Sequence, residues 1–283
     1  MRISIDDLKA FKRRGERFPM LTVYDFATAK VLDAAGIPIL LVGDSLGMVV
    51  LGHETTLPVT IDDILHHTKA VVRGTEHALI VADMPFLTYQ IGADEAVRNA
   101  GRLIQQGGAQ AVKLEGGSEV ATAVERIVQA GIPVMGHLGL TPQSVNQLGG
   151  FRVQAKTNET IQTLVDDARA LESAGAFSLV LECVPAAVGK LVTQSVGIPT
   201  VGIGAGLDCD GQVQIISDLL HLIPGSIPKH AHSYVDVSAL IQDGVARFAA
   251  DVRSGEFPTK AQMFSLPKGL DESELLAAFE RER

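Results

Sequence analysis

Ala78-Leu79-Ile80-Val81-Ala82-Asp83 is an apolar run closed by an acid, and Ala111-Val112-Lys113-Leu114-Glu115 repeats that form with a lysine set into it. Continuous apolar runs of this length suit parallel strands buried on both faces. Working outward, residues 20–24, 39–44, 133–137, 178–182 and 199–203 have the same character, and a weaker eighth run lies near 226–228. The segments between them carry helical periodicity. In 60–73, Ile61, Ile64, Leu65, Thr68, Val71 and Val72 share one face, and Thr60 with Asp63 forms a capping box at its start. In 159–174 the apolar positions repeat likewise, with Gly175 suited to end the helix. Helices are also predicted over 26–35, 92–106, 119–130, 186–196 and 211–222. This alternation predicts an α/β chain forming a TIM (β/α)8 barrel. A doubly wound open sheet is the alternative, but its G-x-G-x-x-G after the first strand is missing. Residues 3–14 read as an amphipathic helix capping the barrel bottom, and 236–254 as an extra C-terminal helix. Residues 1–258 are expected to form one catalytic domain and 259–283 a polar, proline-marked tail.

The 283 residues, 46% of them hydrophobic, describe a globular chain long enough to bury a core without staples. A net charge of −9 with no basic tract argues against a nucleic-acid partner. No apolar run can span a bilayer, because the best candidate, 37–52, is cut by Asp44. The charged N-terminal stretch lacks the apolar segment of a signal peptide, so a cytoplasmic location is expected. Cys183 and Cys209 sit in no metal or redox motif and are expected to be free thiols.

In α/β barrels, function gathers at the C-terminal ends of the strands. The residues closing the runs are Asp44-Ser45, Asp83, Lys113 with Glu115, His137 and Glu182. Carboxylates from neighbouring strands repel one another in a shared space and need a cation or protons to offset that. Asp44, Asp83 and Glu115 therefore point to a divalent-metal site, and an all-oxygen set suits Mg2+, with Mn2+ or Co2+ as substitutes. The competing account is that each acid caps the helix that follows. Lys113 reads as a contact for a substrate carboxylate, as a Schiff-base lysine, or as a structural partner of the acids. His137, between glycines, can donate a hydrogen bond to substrate or be a satisfied core histidine. Glu182 suits a general base. The glycines of 202–206 read either as an anion-binding loop or as a tight, closely packed turn.

Several longer motifs then line up in order. They are Val42-Gly43-Asp44-Ser45-Leu46-Gly47-Met48, Gly52-His53, Thr56-Leu57-Pro58-Val59-Thr60, Ala82-Asp83-Met84-Pro85-Phe86 and Val112-Lys113-Leu114-Glu115-Gly116-Gly117. After them come Gly136-His137-Leu138-Gly139-Leu140-Thr141-Pro142-Gln143-Ser144, Leu181-Glu182-Cys183-Val184-Pro185, Gly202-Ile203-Gly204-Ala205-Gly206 and Pro228-Lys229. In these the chain resembles the ketopantoate hydroxymethyltransferase family from about residue 3 to 258. The resemblance implies a TIM barrel and one-carbon transfer in pantothenate biosynthesis. The substrates would be 3-methyl-2-oxobutanoate and 5,10-methylenetetrahydrofolate, the products 2-dehydropantoate and tetrahydrofolate. It implies metal acids at Asp44, Asp83 and Glu115, oxo-acid contacts at Asp44, Ser45, Asp83 and Lys113, an active-site histidine at His137 and a general base at Glu182. It further implies a ring-shaped homodecamer. No folate-binding residues are carried over.

The chemistry is coherent. Mg2+ chelated by the oxo acid would stabilise the enolate left when Glu182 takes the C3 proton. A related Mg2+-dependent lyase or aldolase acting on a pyruvate-like acid would share the metal acids and differ in the electrophile. A barrel that only binds an anionic ligand is the non-catalytic alternative.

Overall fold

The structure, a computed structural model, describes residues 2–280. Eight parallel strands close into a barrel in sequence order, the last pairing with the first. They are β1 (Phe18–Thr22), β2 (Ile39–Val42), β3 (Leu79–Asp83), β4 (Ala111–Glu115), β5 (Val134–Gly139), β6 (Ser178–Glu182), β7 (Thr200–Ile203) and β8 (Gly211–Gln214). The TIM barrel expected from the run-and-helix alternation is the fold observed. The helices at 61–73, 93–105, 121–129, 158–173 and 186–195 fall where periodicity placed them, and the Thr60/Asp63 capping box forms.

The eighth strand is a correction. It lies at Gly211–Gln214, inside the segment expected to be helical over 211–222, and residues 226–228 form no strand. Only a short helix, Ile216–Leu219, remains of that expectation. The physical reason is a break in the repeat, since β7 and β8 are joined by residues 204–210 with no helix between them. β8 also lacks an apolar run. Gln212 is exposed and only Val213 enters the barrel core. Gly211 is required there because a Cβ would meet the Phe18 ring at 2.5 Å.

Alternation along each strand sorts the side chains. Ile39, Leu41, Leu79, Val81, Ala111, Met135, Val180, Val201 and Val213 fill the barrel interior, while Leu40, Val42, Ile80, Val112 and Leu114 pack outward against the helices. The same phase carries upward on the inner face to Asp83, to Lys113 and Glu115, to His137 and to Glu182. A polar layer therefore rests on an apolar plug.

The bottom is closed by the helix Ile5–Arg14, as expected. Its Leu8 is fully buried in the interior cluster with Phe18 and Met20. Lys12 Nζ reaches Asp210 Oδ2 at 2.9 Å and the Thr193 carbonyl at 3.1 Å. The Arg2 guanidinium donates to the carbonyls of Ala78 and Thr75.

The chain divides by internal contacts into a unit ending at Val235 and a second beginning at Asp236. The first holds the whole barrel. The second holds the helix Val237–Ser254, capped by the Asp236 carboxylate, and a short helix Glu272–Glu280 within the expected tail. Among the described residues no helix is long and apolar enough to cross a membrane. Cys183 and Cys209 are free thiols, as expected.

Asp33, at the end of the helix Phe26–Ala34, fixes the entry to β3. Its carboxylate accepts from the backbone N–H groups of Glu76 (2.9 Å), His77 (3.0 Å) and Ala78 (2.7 Å). Burial alone would raise its pKa, but these three donors outweigh it and hold the group below the usual carboxylate range. Asp33→Asn places an NH2 group against those donors and should cost about 2 kcal/mol in urea unfolding at neutral pH. A depressed folded pKa means the carboxylate's contribution is complete above the unfolded value and fades as pH falls towards the folded one. The gap between the two proteins should therefore narrow below about pH 4. A gap that stays constant down to ~pH 3 would show that the charge is irrelevant.

Candidate active site

Strand register brings the expected residues together. Asp83 pairs with Lys113 across β3 and β4, and Glu115 with His137 across β4 and β5. All four are 2–4% exposed, as is Asp44 just past the end of β2. With Ser45 and Glu182 they line one cavity of about 500 Å3 at the C-terminal end of the barrel.

Lys113 is the centre of the cluster. Its Nζ lies 2.8 Å from Asp83 Oδ1, 3.2 Å from His137 Nδ1 and 4.0 Å from Glu115 Oε1. Burial works to lower the lysine pKa, but the charges of Asp83, Glu115 and Asp44 outweigh it and raise it. An ammonium held this firmly is a poor amine nucleophile, which argues against a Schiff base. Asp83 Oδ2 accepts the backbone N–H of Asp44 at 2.9 Å.

Three buried carboxylates face one ammonium. Burial, followed by the charges of Asp83 and Glu115, pushes the Asp44 carboxyl well above its usual range. Burial also leaves Asp83 raised despite Lys113. Glu115 differs. Burial acts to raise it, yet His137, Lys113 and a backbone N–H from Gln143 at 3.0 Å bring it below its usual value. Asp44 and Asp83 are thus acids whose ionised form the protein alone under-stabilises, which a cation beside them would favour, and Asp83 Oδ1, though 2.8 Å from Lys113 Nζ, has no aligned hydrogen bond. That donor set fits a hard divalent ion. Among the described residues no three His, Cys, Asp or Glu side chains are arranged as a ready set of metal ligands, and Glu115 is engaged by Gln143 N–H and His137.

His137 spans the site. Nδ1 is 3.3 Å from Glu115 Oε1 and Nε2 is 3.2 Å from Glu182 Oε2. Burial and Lys113 act against its protonation, but the two glutamates prevail and lift its pKa to about 9. Glu182 is the more exposed partner and faces the cavity. Gly139 makes the approach of β5 to β6 possible there. Its φ is +90°, and a Cβ would sit 2.3 Å from the Glu182 carbonyl oxygen. Ser45 Oγ is 2.9 Å from the Tyr24 hydroxyl.

Helix capping accounts for none of the acids at Asp44, Asp83 or Glu182. The helices Leu46–Val49 and Ala186–Ser195 have no side-chain cap. Glu115 alone does related work, accepting Gln143 N–H in the first turn of the short helix Pro142–Ser144. The glycines of 202–206 are packed rather than open. A Cβ on Gly204 would meet His230, and one on Gly206 would meet Ala186.

Reading strand ends missed Gln143, which is 4% exposed. Its Nε2 donates to Asp44 Oδ2 at 2.8 Å and to the Met84 carbonyl at 3.0 Å. Its Oε1 lies 2.7 Å from the Tyr89 hydroxyl, whose single proton is shared with the Glu115 carbonyl at 2.9 Å. Gln143 arrives from a loop, so strand periodicity carries no signal for it. The motif Thr141-Pro142-Gln143-Ser144 was its only trace in the sequence.

The profile of the family described as ketopantoate hydroxymethyltransferase matches residues 2–260. A 3-methyl-2-oxobutanoate hydroxymethyltransferase of Dehalococcoides mccartyi is 57% identical over 268 residues, covering 95% of this chain and 96% of the relative. One from Carboxydothermus hydrogenoformans is 51% identical, covering 94% and 96%. Among solved structures, a phosphonopyruvate hydrolase in complex with oxalate and Mg2+ is similar with a TM-score of 0.59 at 15% identity, covering 100% of this chain and 97% of that one. A phosphoenolpyruvate phosphomutase from Streptomyces platensis gives 0.56 at 14%, covering 97% and 98%. At those identities the two structures bear on the fold alone.

Gln143→Leu would leave Asp44 Oδ2 and the Met84 carbonyl short of a donor and Tyr89 short of an acceptor. We expect a loss of about 2–4 kcal/mol in urea unfolding. A loss under ~0.5 kcal/mol would show that Gln143 does not hold the acids in place.

Proposed function

The chain belongs to the ketopantoate hydroxymethyltransferase family and is an enzyme of that class, and on this premise we propose that it acts in pantothenate synthesis. It transfers a hydroxymethyl group from 5,10-methylenetetrahydrofolate to 3-methyl-2-oxobutanoate, giving 2-dehydropantoate and tetrahydrofolate, with water supplying the hydroxyl oxygen. The observation that carries this reading is one cavity in which an acid–lysine cluster and the carboxylate of Glu182 are joined through His137. The first suits an anionic oxo acid, the second a proton to be removed from it.

Asp44 and Asp83 would hold Mg2+, with Glu115 one step behind through its bonds to Gln143 and His137. The ion would supply the positive charge that attracts the carboxylate and ketone oxygens of a 2-oxo acid and makes its C3–H more acidic. Lys113 and Ser45 orient the substrate carboxylate, and Tyr24 presets Ser45. Glu182 takes the C3 proton. The one-carbon unit exchanges its two bonds to folate nitrogens for one to C3 and one to the oxygen of water, while the C3 proton and one proton of that water end on the freed nitrogens. Val180, two residues before Glu182 on the same face, and Ile203, its register partner on β7, give the base an apolar border for the two methyl groups. His137 Nε2, 3.2 Å from Glu182 Oε2, steadies that carboxylate.

Glu182→Gln should lower kcat by about 10²–10⁴-fold while oxo-acid binding persists, because only proton removal is lost. EDTA should abolish turnover and added Mg2+ restore it. Full activity in excess EDTA would sink the metal assignment. Borohydride added with substrate should leave Lys113 unlabelled, and an adduct there would replace this mechanism with a Schiff-base one.

A further inference from the structure

The same cavity carries one more carboxyl group, outside the acid–lysine cluster. Asp218 lies in the short helix Ile216–Leu219 that follows β8. That helix is pinned to β1, since the Ile216 N–H donates to Thr22 Oγ1 at 3.0 Å and Ile216 is buried. Asp218 is half-buried, and among the described residues no donor reaches its carboxylate oxygens. Burial pushes its carboxyl up, offset only in part by His230. A half-buried carboxylate without a protein donor is left to water, and a ligand that brings donors can take water's place.

Position narrows the ligand. His230 Nδ1 stands 3.7 Å from Cys183 Sγ, and Cys183 directly follows the base Glu182. His230 thus lies beside the residue that follows Glu182, and Asp218, which feels the charge of His230, lines the same cavity. Ile203, Val213 and Ile215 supply apolar surface to the cavity, and Phe151, 51% exposed, lines it too. The oxo acid cannot be the partner. Its carboxylate and ketone only accept hydrogen bonds, and its charge is repelled by Asp218. The folate does carry donors. The N3–H and 2-amino groups of its pterin ring lie side by side and match the two oxygens of a carboxylate.

We propose that Asp218 holds the N3–H/2-amino edge of the folate pterin ring, with the ring seated on the apolar wall, so that the one-carbon unit faces Glu182. This assignment rests on methylenetetrahydrofolate being the donor.

The test is calorimetric titration of tetrahydrofolate and of its 2-desamino-2-methyl analogue into the Mg2+-loaded full chain. Wild type should bind the analogue roughly 10- to 100-fold more weakly than tetrahydrofolate, the range of a charged hydrogen bond. Asp218→Asn should bind tetrahydrofolate more weakly by a similar factor and discriminate little between the two ligands. Its KM for methylenetetrahydrofolate should rise, while its affinity for 3-methyl-2-oxobutanoate stays within about twofold of wild type, which also reports a folded barrel. The wild-type comparison needs no variant, so a misfolded Asp218→Asn would not spare the idea. Equal wild-type affinity for the two ligands, or undiminished tetrahydrofolate binding by Asp218→Asn, overturns the assignment alone. Wild type that binds no tetrahydrofolate and gains no turnover from the methylene form overturns the donor reading, and this assignment with it.

Discussion

The ion pair between Lys113 and Asp83, 2.8 Å long and almost sealed from solvent, is the constraint around which the site is organised. An ammonium inside a barrel is tolerated only among acids. Once Lys113 faces inward, the period of two places Glu115 inward as well, and parallel register sets Asp83 and His137 beside them. The barrel interior below is apolar and cannot accept any of these groups, so they collect in a single layer at its top. The excess of acid over base in that layer is a property that suits a cation.

The two sides of the cavity perform different electrostatic tasks. Around Lys113 the carboxylates are crowded and buried, and their pKa values diverge, with Asp44 raised and Glu115 lowered. Divergence of that kind is how one scaffold keeps some acids as ligands and others as fixed anions. Glu182, by contrast, is the more exposed partner of His137 and meets an apolar border. Asp218 stands apart from both groups, close to His230.

Much of this was legible from the chain because a strand that is apolar throughout makes its closing residue conspicuous. Asp83, Lys113, Glu115, His137 and Glu182 all stand at the upper ends of such runs, and the structure gathers each of them. What was not legible depends on contacts without a local pattern. β8 contributes one inward apolar residue, Val213, and follows β7 without a helix, so extrapolating the repeat placed it some fifteen residues too late. Gln143 is polar, sits in a loop and gains its place only when Asp44, Met84 and Tyr89 converge on it. Asp218 was read within a helix of the wrong extent, so its position on the cavity wall could not be foreseen.

The plug at the barrel bottom has a consequence for the order of events during synthesis. The helix Ile5–Arg14 precedes every strand of the barrel, but the acid that Lys12 pairs with comes only just before β8. Lys12 needs Asp210, 198 positions later, and Arg2 needs residues 75–78. Contacts this distant form only after their loops have closed, which slows folding. Until β8 is translated, the apolar face of Leu8 has no complete barrel to enter. Until then the amphipathic segment stays without its partners, the condition in which exposed apolar surface favours off-pathway contacts.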